Sequence, residues 1–244
     1  MMKRTVLIVC LALAACSPAA PPPAGHNMDE SPTASSGPGQ VDADFGLRLG
    51  LLEGHMMVGR ELIEAGQKEN ALPHFGHPIR ELYGDLRPVI AERGAEQFEG
   101  DLVRAESLAA LDGDTPEFRT AFDAAMAKVV AARATIPTET WNSDAYTLRL
   151  VSDLATTASQ EYRNALVAGR IDSLVEYHDA RGFMFYAAAL LAAHQSSDPK
   201  LADAARIIGE LKAMVEPLNP PNPPRATDAQ FEAKAAELRA LLAP

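Results

Sequence analysis

Residues 43–66, ADFGLRLGLLEGHMMVGRELIEAG, decide the fold class. Apolar side chains recur at three- and four-residue steps, and no strand-like alternation is present. Leu51, His55, Val58 and Leu62 share one stripe of the predicted helix, which runs over 43–65 with Gly66 as its C-terminal cap. Gly46, Gly50 and Gly54 share another. Each glycine costs roughly 1 kcal/mol of helix stability against alanine. The expected return is the close approach of a neighbouring helix.

The same reading extends outward. From residue 43 to about 216 the chain is rich in Ala and Leu and reads as helix almost throughout, giving an all-α helical bundle. A second helix is predicted to start at Pro78, with a kink or break at Pro88. Further helices are expected over 96–111, after Thr115-Pro116-Glu117, over 144–168 with Gly169 as cap, over 173–194 and over 199–215. A proline-rich linker occupies 217–225. Residues 226–244 form a last amphipathic helix that either docks on the bundle or stays free. The first long helix ends Ala65-Gly66 and is followed by Leu72-Pro73-His74-Phe75-Gly76-His77. The later one ends Ala168-Gly169 and is followed by Leu174-Val175-Glu176-Tyr177-His178-Asp179. The echo suggests two related helical hairpins facing each other.

Upstream, residues 16–42 contain PAAPPPAG and SPTASSGPGQ and too little apolar surface to offset ordering entropy, so they read as a disordered tether. Residues 1–15 carry Lys3 and Arg4, a short apolar run and Leu13-Ala14-Ala15 before Cys16. This resembles the lipobox of bacterial lipoproteins. The resemblance implies cleavage before Cys16, lipidation of that cysteine and attachment to a membrane through the lipid. Ser17 points, by the same resemblance, to the outer membrane rather than the inner one. The expected setting is the cell envelope, facing the periplasm.

The chain has 22 basic and 33 acidic residues and a net charge of −11. Such a surface disfavours nucleic acid. Both cysteines lie at or before residue 16, so thiol catalysis and cysteine-held metal clusters are excluded from the bundle. No nucleophile elbow, zinc-protease, phosphate-loop or dinucleotide signature occurs, and no enzyme is expected. Tyr162, Tyr177, Phe183, Phe185 and Tyr186 read as core rather than as a cofactor pocket.

Imidazoles and carboxylates remain. His55 lies on an apolar stripe. His77, before Pro78, is expected at a helix N-terminus, where the dipole keeps imidazole neutral. Glu161 and Glu176 are their counterparts in the second hairpin, with His74 and His178 as near alternatives; Glu176 and Asp179, three apart, share a side. Bundles build metal sites from such groups, and this donor set suits a transition metal.

Glu161 to Tyr186, EYRNALVAGRIDSLVEYHDARGFMFY, resembles helical segments in the periplasmic portion of bacterial high-affinity iron permeases. Arg60-Glu61-Leu62-Ile63-Glu64 fits the Arg-Glu-x-x-Glu pattern that those permeases carry in membrane helices, although here it ends a charged helix. The resemblance implies an accessory extracytoplasmic domain and makes iron the first candidate metal. The expectation is therefore a metal site of His55, His77, Glu161, Glu176, His74 and His178. The rival reading is a structural or adaptor lipoprotein that binds another envelope protein, with no metal and no catalysis.

Overall fold

The computed structural model describes residues 38–243. The signal segment, Cys16 and most of the tether lie outside them. Among the described residues ten α-helices dominate: α1 (Pro38–Glu64), α2 (Lys68–His77), α3 (Tyr83–Glu92), α4 (Glu99–Asp112), α5 (Pro116–Arg133), the short α6 (Thr138–Trp141), α7 (Asp144–Asn164), α8 (Leu174–Ala193), α9 (Pro199–Met214) and α10 (Asp228–Ala240). A π-helical turn, Pro78–Leu82, joins α2 to α3, and a two-residue hairpin joins α7 to α8.

The centre of the molecule is α1. Phe45, Leu49, Leu51, Leu52, Met56, Val58, Leu62 and Ile63 are all buried, so the helix is enclosed on several sides rather than along one stripe. It packs against α2, α7 and α8. The α1–α2 and α7–α8 hairpins face each other as the echo suggested.

The glycines explain how closely they meet. A Cβ on Gly54 would stand 2.6 Å from Phe183 Cδ1, and one on Gly182 would stand 2.3 Å from the Gly54 carbonyl oxygen. At Gly50 the clash would be with the Tyr186 ring, and at Gly59 with Phe75 and the Cβ of His74. The stripe is therefore a seam: Gly46 admits Tyr146 of α7, Gly50 and Gly54 admit α8, and Gly59, just beyond it, admits α2.

Several local expectations are corrected. Helix α1 begins at Pro38, so 38–42 are helical and not tether; Asp42 is buried and pairs with Arg93 at 2.5 Å. The second helix begins at Lys68, not Pro78. His77 keeps helical dihedrals before the proline, because Ala71, His74 and Phe75 are fully buried on the continuous helix face and packing outweighs the local preference. Pro78 lacks an N–H, and the helix widens there: Tyr83 N–H bonds the Pro78 carbonyl five residues back. Pro88 stays inside α3. The 144–168 helix stops at Asn164, and Ala168 and Gly169 take positive φ in a tight turn pairing Leu166 with Ile171 and Val167 with Arg170.

The start expected at Thr115-Pro116-Glu117 is found, and α10 carries a cap that was not expected. Thr115 Oγ1 accepts from Phe118 N–H at the start of α5, and Thr227 and Gln230 form a capping box on α10. Of the two readings left open for the last helix, docking is correct: Phe231, Ala235 and Leu238 are fully buried against α7 and α9. Residues 217–225 also pack on the bundle, since Tyr177 Oη–H donates to the Pro217 carbonyl at 2.9 Å and, just beyond them, Tyr162 Oη–H donates to the Ala226 carbonyl at 2.7 Å.

Candidate metal centre

The Gly54–Gly182 contact sets the site. His55 follows Gly54 on α1, and Asp179 lies one turn before Gly182 on α8, so the crossing brings them together deep in the seam. Gly59 admits the Cβ of His74 from α2, and His77 lies one turn further along that helix.

Asp179 is the hub. His74 Nδ1 is 2.7 Å from Asp179 Oδ1, His55 Nε2 is 3.2 Å from the same oxygen, and His77 Nδ1 is 3.5 Å from Oδ2. His55, His74 and Asp179 are buried, and His77 is half-buried. One donor atom each from His55, His77 and Asp179 lies within 4.8 Å of the other two. Two imidazoles and one carboxylate are the donor set typical of non-haem iron(II) sites.

Neighbouring groups orient these donors. His55 Nδ1–H donates to the Leu51 carbonyl at 2.8 Å, which turns Nε2 toward Asp179. His74 Nδ1–H holds Asp179 Oδ1. Such outer hydrogen bonds fix tautomer and ring orientation in metal sites. On the far side of α8, His178 Nε2–H donates to the Leu218 carbonyl at 2.9 Å.

Charge is unevenly matched. Burial opposes ionisation of Asp179, but the imidazoles of His55 and His74 outweigh it and hold the carboxyl well below the usual carboxylate range. Burial likewise opposes protonation of His55, and Asp179 reverses that, so His55 titrates above the ordinary imidazole value. His77 is also raised, by its hydrogen bond to Asp179. This corrects the helix-terminus argument: no helix begins at His77, and the carboxylate, not a dipole, sets its charge. Glu161 is pushed up to about 7 by burial and then by the negative field of Asp179, with smaller contributions from Glu176 and Glu81. His178 is driven down to about 4 by burial, with His74 adding to the effect.

Among the described residues, four buried side-chain polar atoms lack a hydrogen-bond partner: His74 Nε2, Glu176 Oε2, His178 Nδ1 and Ser152 Oγ. Three of them belong to this cluster. An unsatisfied buried polar atom costs about 1–3 kcal/mol, and groups with surplus lone pairs are what a cation would complete.

Of the six residues expected from the sequence, the structure brings His55, His74 and His77 to Asp179 and sets the His178 ring 5.6 Å from that of His74, while Glu161 and Glu176 stand at electrostatic range. His74 Nδ1 lies nearest Asp179, and His55 and His77 offer the two nitrogens that fall with an Asp179 oxygen within 4.8 Å of one another. Glu161 sits within electrostatic reach of His55, Asp179 and Glu176. His74 and His178 back the site from behind. The central carboxylate, Asp179, was seen beside Glu176 in the sequence and left out of the expected set. The missed signal was its register: Asp179, Phe183 and Tyr186 follow the i, i+4, i+7 steps of one buried stripe, the same anomaly that singled out His55.

Residues 137–244 match the iron permease-associated 4-helix bundle domain. The match covers less than half of the chain and coincides with α6 to α10, whose four long helices are α7 to α10. Nothing among curated proteins or solved structures matches the chain. The candidate site therefore joins two regions: Asp179, Glu161, Glu176 and His178 come from the matched bundle, and His55, His74 and His77 from the helices that precede it. No described helix is long and apolar enough to cross a membrane.

Proposed function

We propose that this protein is a lipid-anchored, extracytoplasmic accessory protein that binds a transition metal, iron first, at His55, His77 and Asp179. One observation carries the reading: two imidazoles and a carboxylate converge in a buried seam, pre-oriented by outer hydrogen bonds, beside a bundle similar to the iron permease-associated domain. The donor set fits a transition metal better than calcium or magnesium, which prefer all-oxygen ligands. Glu161, half-buried and electrostatically coupled to these donors, is the first candidate for a further ligand. When bound, the ion would take the place of the proton that Asp179 helps His55 to hold. His55 and His77 would bind it as neutral imidazoles, and Asp179 would lower the net charge of the loaded site. The anchor rests on Leu13-Ala14-Ala15-Cys16 and is tested separately, since Cys16→Ala should leave unprocessed, unlipidated precursor.

The metal is tested with thermal melts of the full chain in iron(II), zinc, copper and manganese, with and without chelator. A ligand that binds only the folded state adds about 2.7 kcal/mol at a hundredfold excess over its dissociation constant. That gain should disappear in Asp179→Asn. If no metal shifts the midpoint, the adaptor reading takes first place.

A further inference from the structure

About 20 Å along α8 from Asp179, a second polar cluster joins the end of that helix to the start of α7. His194 follows α8 with an extended backbone, ψ 125°, and its ring reaches the first turn of α7. His194 Nε2 lies 2.7 Å from Asp144 Oδ1, and Nδ1 lies 3.1 Å from Thr147 Oγ1. The other Asp144 oxygen accepts from Ser196 Oγ–H at 2.7 Å. Hydrogen bonds from His194 and Ser196 hold the Asp144 carboxyl below its usual range, so it is ionised and can only accept. The imidazole proton therefore stands on Nε2, and Nδ1 offers its lone pair to Thr147 Oγ1–H.

Thr147 differs in this from other helical threonines of the chain. Thr120, Thr156 and Thr157 turn their hydroxyls back to the carbonyl four residues earlier, the common habit of threonine inside a helix. The Thr147 hydroxyl goes to an imidazole instead. Both groups line a cleft of about 400 Å³. Trp141, Leu150 and Leu190 give that cleft apolar walls, and Asn142 and Gln195 on its rim carry amide donors. A hydroxyl held by a base that a carboxylate orients is the arrangement of an activated nucleophile, recognised by geometry and not by order in the chain. An apolar cleft with a few convergent polar groups is the form of a small-molecule site.

We propose that Thr147, His194 and Asp144 form an acyl-transfer site that hydrolyses small, uncharged carboxylic esters. The acyl chain would lie against Trp141, Leu150 and Leu190, and the net charge of −11 disfavours anionic substrates. Thr147 Oγ attacks the ester carbonyl carbon while its proton passes to His194 Nδ1, and Asp144 steadies the imidazolium through Nε2–H. The Asn142 and Gln195 amides are the donors at hand for the oxyanion. The bond from carbon to the alcohol oxygen breaks, and Nδ1–H protonates the departing oxygen. Water then attacks the acyl-threonine and gives a proton to Nδ1, which returns it to Thr147 Oγ as the acid leaves. The sum is ester plus water to acid plus alcohol. The proposal does not rest on the metal-binding reading.

The test uses the full chain in mild detergent with chelator present, so that no metal-bound water contributes. The substrates are p-nitrophenyl acetate and butyrate, and the probe is a β-lactone that acylates hydroxyl nucleophiles. Wild type should hydrolyse the esters and carry the lactone on Thr147, located by peptide mass spectrometry. Thr147→Val, which keeps the side-chain shape, should lose both. His194→Gln should lower kcat about a hundredfold or more. Asp144→Asn should lower kcat and leave KM unchanged, because Asp144 acts through the imidazole and does not touch the ester. Melting curves establish that each variant is folded, and the adduct on wild type needs no substitution. No hydrolysis or no Thr147 adduct in wild type, or hydrolysis persisting in folded Thr147→Val, would overturn the site and leave the trio as a tie between α7 and α8.

Discussion

On α1, Gly54 has Glu53 before it and His55 after it, and each leads into a buried polar cluster that reaches α8. The Glu53 cluster is closed. Arg133 Nη1–H donates to Glu53 Oε1 at 2.5 Å, Tyr186 Oη–H donates to the same oxygen at 2.9 Å, and the guanidinium lies over the Trp141 ring. Its cation is permanent, and none of its atoms is among the unpartnered ones. The His55 cluster is open. One carboxylate serves three imidazoles, whose charge depends on a proton or a metal, and three donor atoms nearby are left over. The first arrangement clamps helices. The second carries leftover polar atoms that cost stability, and that contrast is what the proposed metal site rests on.

Both clusters depend on the glycine seam, so the largest effect comes from breaking it. Gly182→Val would drive a side chain into the Gly54 backbone, and overpacking of this kind should cost about 3 kcal/mol or more. Urea unfolding should show it, together with loss of metal uptake. Unchanged stability would mean that the helices can part without harm, and the geometry of both clusters would be in doubt.

The clamp should be next. Arg133→Met strands Glu53, whose carboxyl burial already pushes above its usual range. Leaving one buried partner uncompensated should cost about 3 kcal/mol. The double variant with Glu53→Gln should recover most of it. Neither should change metal uptake, and a loss of uptake in a folded double variant would erase the distinction between the two clusters.

The open cluster should respond oppositely to substitution. Asp179→Asn should abolish the metal-dependent rise in melting temperature while costing the metal-free protein less than Arg133→Met does. Calorimetry with and without zinc separates the two contributions.

How far this contrast could be read in advance follows from what each residue type signals. The helices, their proline and threonine starts and the glycine seam were legible, because periodicity and caps are local. His55 stood out for being polar on an apolar stripe. Asp179 gave the same signal, but a carboxylate beside His178 near a helix start reads equally well as a surface residue. The π turn at Pro78 was not legible, since its cause is the burial of His74 and Phe75 against α1, a tertiary effect that overrides the preference of a residue before proline. The Glu53–Arg133–Tyr186 clamp joins residues far apart in sequence, and nothing local announces it. The hairpin at Ala168-Gly169 was taken for a helix cap, because Ala-Gly suits either.

The smallest effect, and the one that sharpens the contrast most, is the pH dependence of the metal-free protein. His55 and His77 hold their protons to higher pH in the folded chain than in the unfolded one. Their contribution is therefore full below the ordinary imidazole range and is lost as pH rises through their raised values. Glu161, raised from the ordinary carboxylate value to about 7, acts in the same direction: its cost grows as pH rises toward 7 and is full above it. Asp179 is held well below the carboxylate range, so its own contribution is lost only in strong acid. Metal-free protein should thus lose stability between about pH 6 and pH 8, the window in which imidazoles discharge. Saturating zinc should reverse the slope, because metal replaces those protons and binds better as they leave. Urea midpoints measured across that range, with chelator and with zinc, give both slopes. Asp179→Asn should flatten the chelated profile, whereas Arg133→Met should shift it without changing its shape. A flat chelated profile in the wild type would mean that the imidazoles are already neutral around Asp179, and the open cluster would then be as fixed in charge as the clamp.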